Sequence, residues 1–179
     1  MKPRGTLMIE HRLIERMIAI ITRHIGTIET ENRTDSGFID AVTDFIRTYA
    51  DKAHHGKEED ILFAALEKKP MAELDKALMY ELVDEHVFGR ETTKALVDAN
   101  TRYGNGDRSA LADMKEHLQT LVDFYPRHIE KEDKNFFPST ERYFTADELD
   151  AMLEDFREFD GKMDLDKYEK IVEQYESGS

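Results

Sequence analysis

Four successive stretches of the chain repeat apolar residues at a period near 3.6, and each carries a histidine on its apolar stripe. The first runs from about Leu7 to Ile28 and aligns Leu7, His11, Ile14, Ile18, Ile21 and Ile25. The second reaches about Lys68 and aligns Val42, Ile46, Ala50, His54, Glu58, Ile61 and Ala65. The third, from about Met71 to Tyr103, aligns Leu78, Leu82, His86, Gly89, Thr93 and Val97. The fourth ends near Asn135 and aligns Met114, Leu118, Leu121, Phe124, His128 and Glu132. Helices of ~22–33 residues extend ~33–50 Å at 1.5 Å per residue. That is the scale of an all-α, up-down-up-down four-helix bundle.

The breaks between the stripes fit this reading. Residues 30–37 turn polar, with Asp35 or Ser36 placed to cap the second helix. Pro70 interrupts the second stripe, and Gly104-Asn105-Gly106-Asp107 ends the third, with Asp107 as an N-cap for the fourth. Pro126 lies inside the fourth helix and is expected to bend it. After Pro138 the pattern changes. Thr145-Ala146-Asp147-Glu148 reads as a capping box before an amphipathic helix with Leu149, Met152, Leu153 and Phe156, and Leu165 to Tyr175 reads as a last helix. Ser177-Gly178-Ser179 reads as a frayed end. The expected organisation is a bundle over residues 1–138 with a helical extension, 139–179, packed on it.

Composition removes several function classes. Among 179 residues, acidic side chains outnumber basic ones by 39 to 25, a formal net charge of −14 that repels phosphate backbones and anionic lipid heads. Nucleic acid and membrane are therefore not expected partners. There is no cysteine, so disulfides, thiolate metal sites, iron–sulfur clusters and thiol catalysis are excluded. No apolar run approaches the ~20 residues of a membrane span, and the first helix carries His11, Glu15 and Arg16 where a signal-peptide core would be apolar. A soluble, cytoplasmic protein is the expectation.

An internal repeat carries the chemistry. His54-His55-Gly56-Lys57-Glu58-Glu59 aligns with His128-Ile129-Glu130-Lys131-Glu132-Asp133, both H-x-x-K-E-acidic, each followed by Phe63 or Phe137 at the same offset. Glu10-His11 on the first helix is echoed by Glu85-His86 on the third. The chain thus reads as two copies of one helical hairpin, each with a lone His and then His-x-x-x-Glu. Residues i and i+4 share a helix face, so His54 with Glu58, and His128 with Glu132, can reach one point. Burying imidazoles and carboxylates in an apolar core is costly without compensation, and a central cation supplies it. Four His and two Glu exceed one tetrahedral zinc and suit two carboxylate-bridged metals. Nitrogen and oxygen donors without sulfur favour iron or manganese. The same i+4 spacing links His55 to Glu59, although the repeat and the apolar phase favour His54 with Glu58.

The order H…HxxxE…H…HxxxE, with HHGKEEDILF and HIEKEDKNFFP, resembles the hemerythrin-like HHE cation-binding family over about Leu7 to Pro138. The resemblance implies His11, His54, Glu58, His86, His128 and Glu132 as metal ligands. It also implies two irons with Glu58, Glu132 and an oxo or hydroxo group as bridges, manganese or zinc remaining open. Oxygen-carrying members have a further His four residues after the third-helix His, where this chain has Arg90. Reversible oxygen storage is therefore in question, and one iron is expected to keep an extra open position. Arg90 reads equally well as a solvated helix residue or as part of a pocket.

Outside this set, His24 is expected to be exposed and His117 to lie ~16 Å from His128 along the axis. Glu15 and Asp133 are reserve ligands, and Tyr49 and Tyr125 are placed to donate to a bound ligand, with packing the plainer role. Three functions follow. A module that binds O2, NO or peroxide as a sensor or scavenger ranks first. A di-iron enzyme of NO or peroxide reduction or cluster repair, served by an electron donor, ranks second, and a metal-stabilised structural or regulatory bundle third.

Overall fold

The structure, a computed structural model, describes residues 2–178; Met1 and Ser179, the last residue of the expected frayed end, lie outside the described residues. The first helix, α1 (Pro3–Glu31), starts on Pro3, whose missing N–H is harmless in a first turn. It stops at Asn32, which takes the left-handed conformation with φ 50° and donates its N–H to the Ile28 carbonyl. Asp35 then accepts from the Gly37 N–H at 2.9 Å and starts α2, a continuous helix over residues 36–66. Pro70 lies in the connection that follows, before α3 (Glu73–Gly104).

The fourth helix, α4, covers residues 110–140 and begins later than the sequence pattern suggested. Asp107 spends its carboxylate on the Ser109 N–H and hydroxyl, capping a tight turn, so the helix proper starts at Ala110. The helix continues through Pro126, which removes one rung donor without ending it. The capping box at Thr145 is complete, Thr145 and Glu148 each bonding the other's backbone N–H, and it starts α5 (Ala146–Asp160). The last helix is α6 (Asp166–Glu176).

Two of the bundle helices depart from α-helical winding. Phe45–His55 and Glu58–Phe63 in α2, and Glu132–Phe136 in α4, are π-helical. The i→i+5 hydrogen bonds widen the turn and turn successive side chains through a smaller angle, a device found mostly at functional sites. Its effect is visible at Ala53, His54 and His55, three consecutive residues that are all buried.

Short connections make the four long helices antiparallel, α1 packing on α2 and α4, and α3 on α2 and α4. Their apolar stripes form two separate clusters. One is centred on Ile14, Ile21, Ile39, Phe45, Met114 and Leu118, with Tyr168 and Val172 of α6 closing it. The other is centred on Leu7, Leu62, Phe63, Leu82, Phe136 and Phe137, with Met152 and Phe156 of α5 closing it. Between them lies a polar layer built from all four helices. No described helix is long and apolar enough to cross a membrane.

Candidate metal centre

The polar layer contains two groups of potential ligand atoms. His11, His54, Glu58 and Glu132 each place one donor within 4.8 Å of the others, and His55, His86 and His128 do the same. All seven side chains are buried. The His11 and His54 Nε2 atoms face each other at 2.9 Å. The rings of His55 and His86 stack at 3.9 Å and 10°, and His128 stands nearly perpendicular to both.

The two glutamates lie between these groups. Glu58 places Oε1 3.6 Å from His54 Nε2 and Oε2 3.4 Å from His86 Nε2. Glu132 places Oε2 3.2 Å from His11 Nε2 and Oε1 3.2 Å from His128 Nε2. Each carboxylate therefore turns one oxygen toward each imidazole group.

Every histidine of the layer is held from behind by a carboxylate at Nδ1. The partners are Asp133 for His11 (2.7 Å), Glu10 for His54 (2.7 Å), Glu59 for His86 (2.7 Å), Glu85 for His128 (2.8 Å) and, more loosely, Asp51 for His55 (3.3 Å). A carboxylate only accepts, so each Nδ1 carries a proton, and Nε2 is the ring atom left to face the layer's interior. This is the outer support that metal-binding histidines almost always have. A third layer of cations grips the carboxylates: Arg12 on Asp133, Lys57 on Glu10, Lys131 on Glu85, and Arg90 on both Asp51 and Glu59 at 2.7 Å each.

The internal repeat is thereby explained residue by residue. The Glu before the lone His backs the later His of its own hairpin, and the Lys of H-x-x-K-E holds that Glu. The acidic residue after each inner Glu backs the lone His of the other hairpin. Phe63 over His86 and Phe137 over His11 repeat the same stacking, at 6.1 and 5.9 Å.

The layer fits a metal cation. Both carboxylate oxygens of Glu58 and of Glu132, and the Nε2 atoms of His86 and His128, are buried without a hydrogen-bond partner. Such groups are expensive to bury unless something else compensates them. In the metal-free protein, protons do part of that work. Burial opposes charge on His11, but its contacts with Asp133 and Glu132 and the Glu58 charge push it up to about 10. Burial is likewise outweighed at His86, where Glu132, Glu58 and Glu59 push it up to about 11. At Glu132 burial is overcome by the His128 charge and by His11 and His86, which hold it well below the usual carboxylate range. His55 goes the other way: burial, then the positive charges of His86, His128, His54 and Arg90, press it far down and keep it neutral.

All six residues singled out from the sequence, His11, His54, Glu58, His86, His128 and Glu132, thus meet in one layer. The sequence offers His55 only as a replacement for His54; the π-helical turn brings both inward, and Glu59 goes behind His86 instead. Arg90 lines the cleft beside the layer, with its guanidinium clamping Asp51 and Glu59. Asp133 sits behind His11, and Glu15 pairs at the surface with Arg12. His117 belongs to neither group. His24 is half-buried rather than exposed, stacking on Phe38 and bonding Thr34. Tyr125 is buried and lines, with His55 and Arg90, a cleft of about 540 Å³ between α2 and α3. Tyr49 packs on Phe45, away from that cleft.

A family model, Hemerythrin HHE cation binding domain, matches residues 3–140. No curated protein and no solved structure matches the chain.

Proposed function

The chain belongs to the hemerythrin HHE cation-binding domain family, and on that premise we propose that it holds two iron ions and binds O2, NO or peroxide as a sensor or scavenger. The observation that carries this reading is the pair of carboxylates, each with one oxygen toward His11 and His54 and the other toward His86 and His128. A single cation would leave one of the two imidazole groups without a partner. The residues that would hold them are His11, His54, Glu58, His86, His128 and Glu132, Glu58 and Glu132 each reaching toward both imidazole groups. Nitrogen and oxygen donors without sulfur suit iron, with manganese the nearest competitor.

When bound, the irons supply redox electrons and coordination positions for a small ligand. The chain's own contribution is orientation and shielding. The five Nδ1–carboxylate bonds fix the ring tautomers, so each imidazole meets the metal with a lone pair already aimed. The apolar clusters on both sides of the layer keep bulk water from the carboxylate bridges.

Reaction of the anaerobically reduced, iron-loaded protein with O2, NO and peroxide tests the reading. One equivalent bound per centre, with a reversible spectral change, supports a binding role. Continued consumption in the presence of a reductant moves the protein to the enzyme class. No reaction with any of the three leaves the metal a structural role and refutes the proposal.

A further inference from the structure

Tyr125 lines the cleft between α2 and α3 and is 1% exposed, yet its hydroxyl makes no hydrogen bond to any described residue. A hydroxyl taken out of water is costly to leave unpaired, so a buried one almost always has a partner. Burial, and then the Asp51 charge, raise the Tyr125 phenol far above its ordinary value, so it stays protonated and able to donate. Asp51 does not accept from it, because its Oδ1 is taken by Arg90 at 2.7 Å and by His55 at 3.3 Å. The fold thus buries a donor and supplies no acceptor for it.

The cleft has the size and lining of a small-molecule site. Its volume is about 540 Å³, within the usual range for such sites. Ile46 of α2 and Val97 of α3 give it apolar walls, and Gly89 adds no side chain to narrow it. Arg47, Arg90 and Lys94 line it against Asp51 and Asp98, and His55 is kept neutral. The lining is therefore cationic on balance, in a chain whose formal net charge is −14. Arg90 is held by Asp51 and Glu59, and Lys94 by Asp98 in an exposed i,i+4 pair. Arg47 is exposed and pairs with no carboxylate among the described residues.

From these features we infer that the cleft binds a small organic anion, with its apolar body against Ile46 and Val97, one oxygen on the Tyr125 hydroxyl and its charge drawn by Arg47. A carboxylate on a compact apolar body meets all three demands. An inorganic anion leaves the walls unused, and a cation meets the wrong charge. The site stands apart from metal coordination and does not depend on which metal the layer holds. It touches that layer at His55, which lines the cleft and also groups with His86 and His128, so an occupant lies against the layer without entering it.

The test measures binding to the full chain by calorimetry, as purified and again after chelator treatment. Benzoate is the probe, with benzyl alcohol, benzylamine and inorganic phosphate as controls. Benzoate is expected to bind with a Kd of about 1 mM or tighter. Benzyl alcohol and phosphate should bind at least ~10-fold more weakly, and benzylamine not at all. Tyr125→Phe should weaken benzoate about 10-fold and leave Tm unchanged or raised, because the hydroxyl has no partner within the fold to lose. Arg47→Gln, at an exposed position, should weaken it ~3-fold. Benzylamine or phosphate binding as tightly as benzoate, no benzoate binding, or wild-type benzoate affinity in Y125F overturns the inference. Loss of binding from a stripped chain that still melts cooperatively would mark benzoate as a metal ligand and overturn it too. Should the stripped chain fail to fold, the Y125F comparison on the protein as purified decides.

Discussion

Replacing Lys57 by Met isolates the link between the C-terminal helices and the metal layer. The Lys57 side chain is fully buried, with Nζ at 2.6 and 2.8 Å from the two Asp160 oxygens and bonded also to Glu10, which holds His54. The next residue back, Gly56, lies under Phe159: a Cβ there would come within 2.8 Å of that ring. Thus α5 is seated on the π-helical turn that carries His54 and His55. Met keeps most of the apolar stem and removes the ammonium. Breaking a fully buried ion pair costs ~3–5 kcal/mol. Glu10 is 12% exposed and Asp160 29%, so water recovers part of this, leaving about 2–3 kcal/mol. For a chain of this size that lowers Tm by ~4–12 °C. Because Glu10 also loses its anchor, metal affinity should fall ~10–100-fold. Thermal melts of the chelator-stripped protein measure the first effect and competition with a chromophoric chelator the second. Asp160→Asn should produce a smaller loss that does not add to that of Lys57→Met, since both act on one cluster. A Tm within 2 °C of wild type together with unchanged metal affinity would show that the clamp is ornamental and refute the reasoning.

Other expectations concern protons, a bridge and the Arg90 clamp. The carboxylates that push His11 up to about 10 and His86 up to about 11 hold a proton on each ring that metal must displace, so uptake at pH 7 should release about two protons; calorimetry in buffers of different ionisation enthalpy would contradict this by finding none. The same raised values stabilise the metal-free fold fully below the usual histidine value near 6.5. That contribution fades as pH rises toward about 10 and 11, so denaturation midpoints flat from pH 6 to 10 would be inconsistent with it. Glu132→Ala removes one of the two carboxylates that face both imidazole groups and should leave fewer than two metals per chain, whereas full occupancy with an unchanged spectrum would end its assignment as a bridge. Arg90→Ala should cost about 1 kcal/mol or less in stability, its side chain being 37% exposed. It should still weaken metal binding ~10-fold through Asp51 and Glu59, and unchanged metal affinity would show the clamp to be dispensable.

Periodicity alone was enough to read the bundle, because burying one stripe per helix is what stabilises such a fold and 3.6-residue spacing records it directly. Ile14, Ile21, Leu82, Met114 and Leu118 sit where their spacing put them. The six residues proposed as ligands stand out in the sequence because each interrupts its stripe with a polar group too costly to bury for nothing. His55 could not be found that way. A 3.6-residue repeat turns it off the stripe, and only the i→i+5 winding returns it to the core. The carboxylates behind the rings were legible only as echoes in the repeat. Glu10 and Glu85 adjoin their own helix's histidine in sequence but serve the histidine of the next helix, a pairing set by tertiary packing. Asp107 shows a similar limit, since a side chain suited to cap a helix can equally cap the turn before it.

Anomalous diffraction at the iron edge, from crystals of the iron-loaded protein, tests the central claim most directly. The account predicts two peaks between the four helices, one against His11 and His54 and one against His55, His86 and His128, with Glu58 and Glu132 touching both. A single peak, or peaks outside this layer, would contradict it.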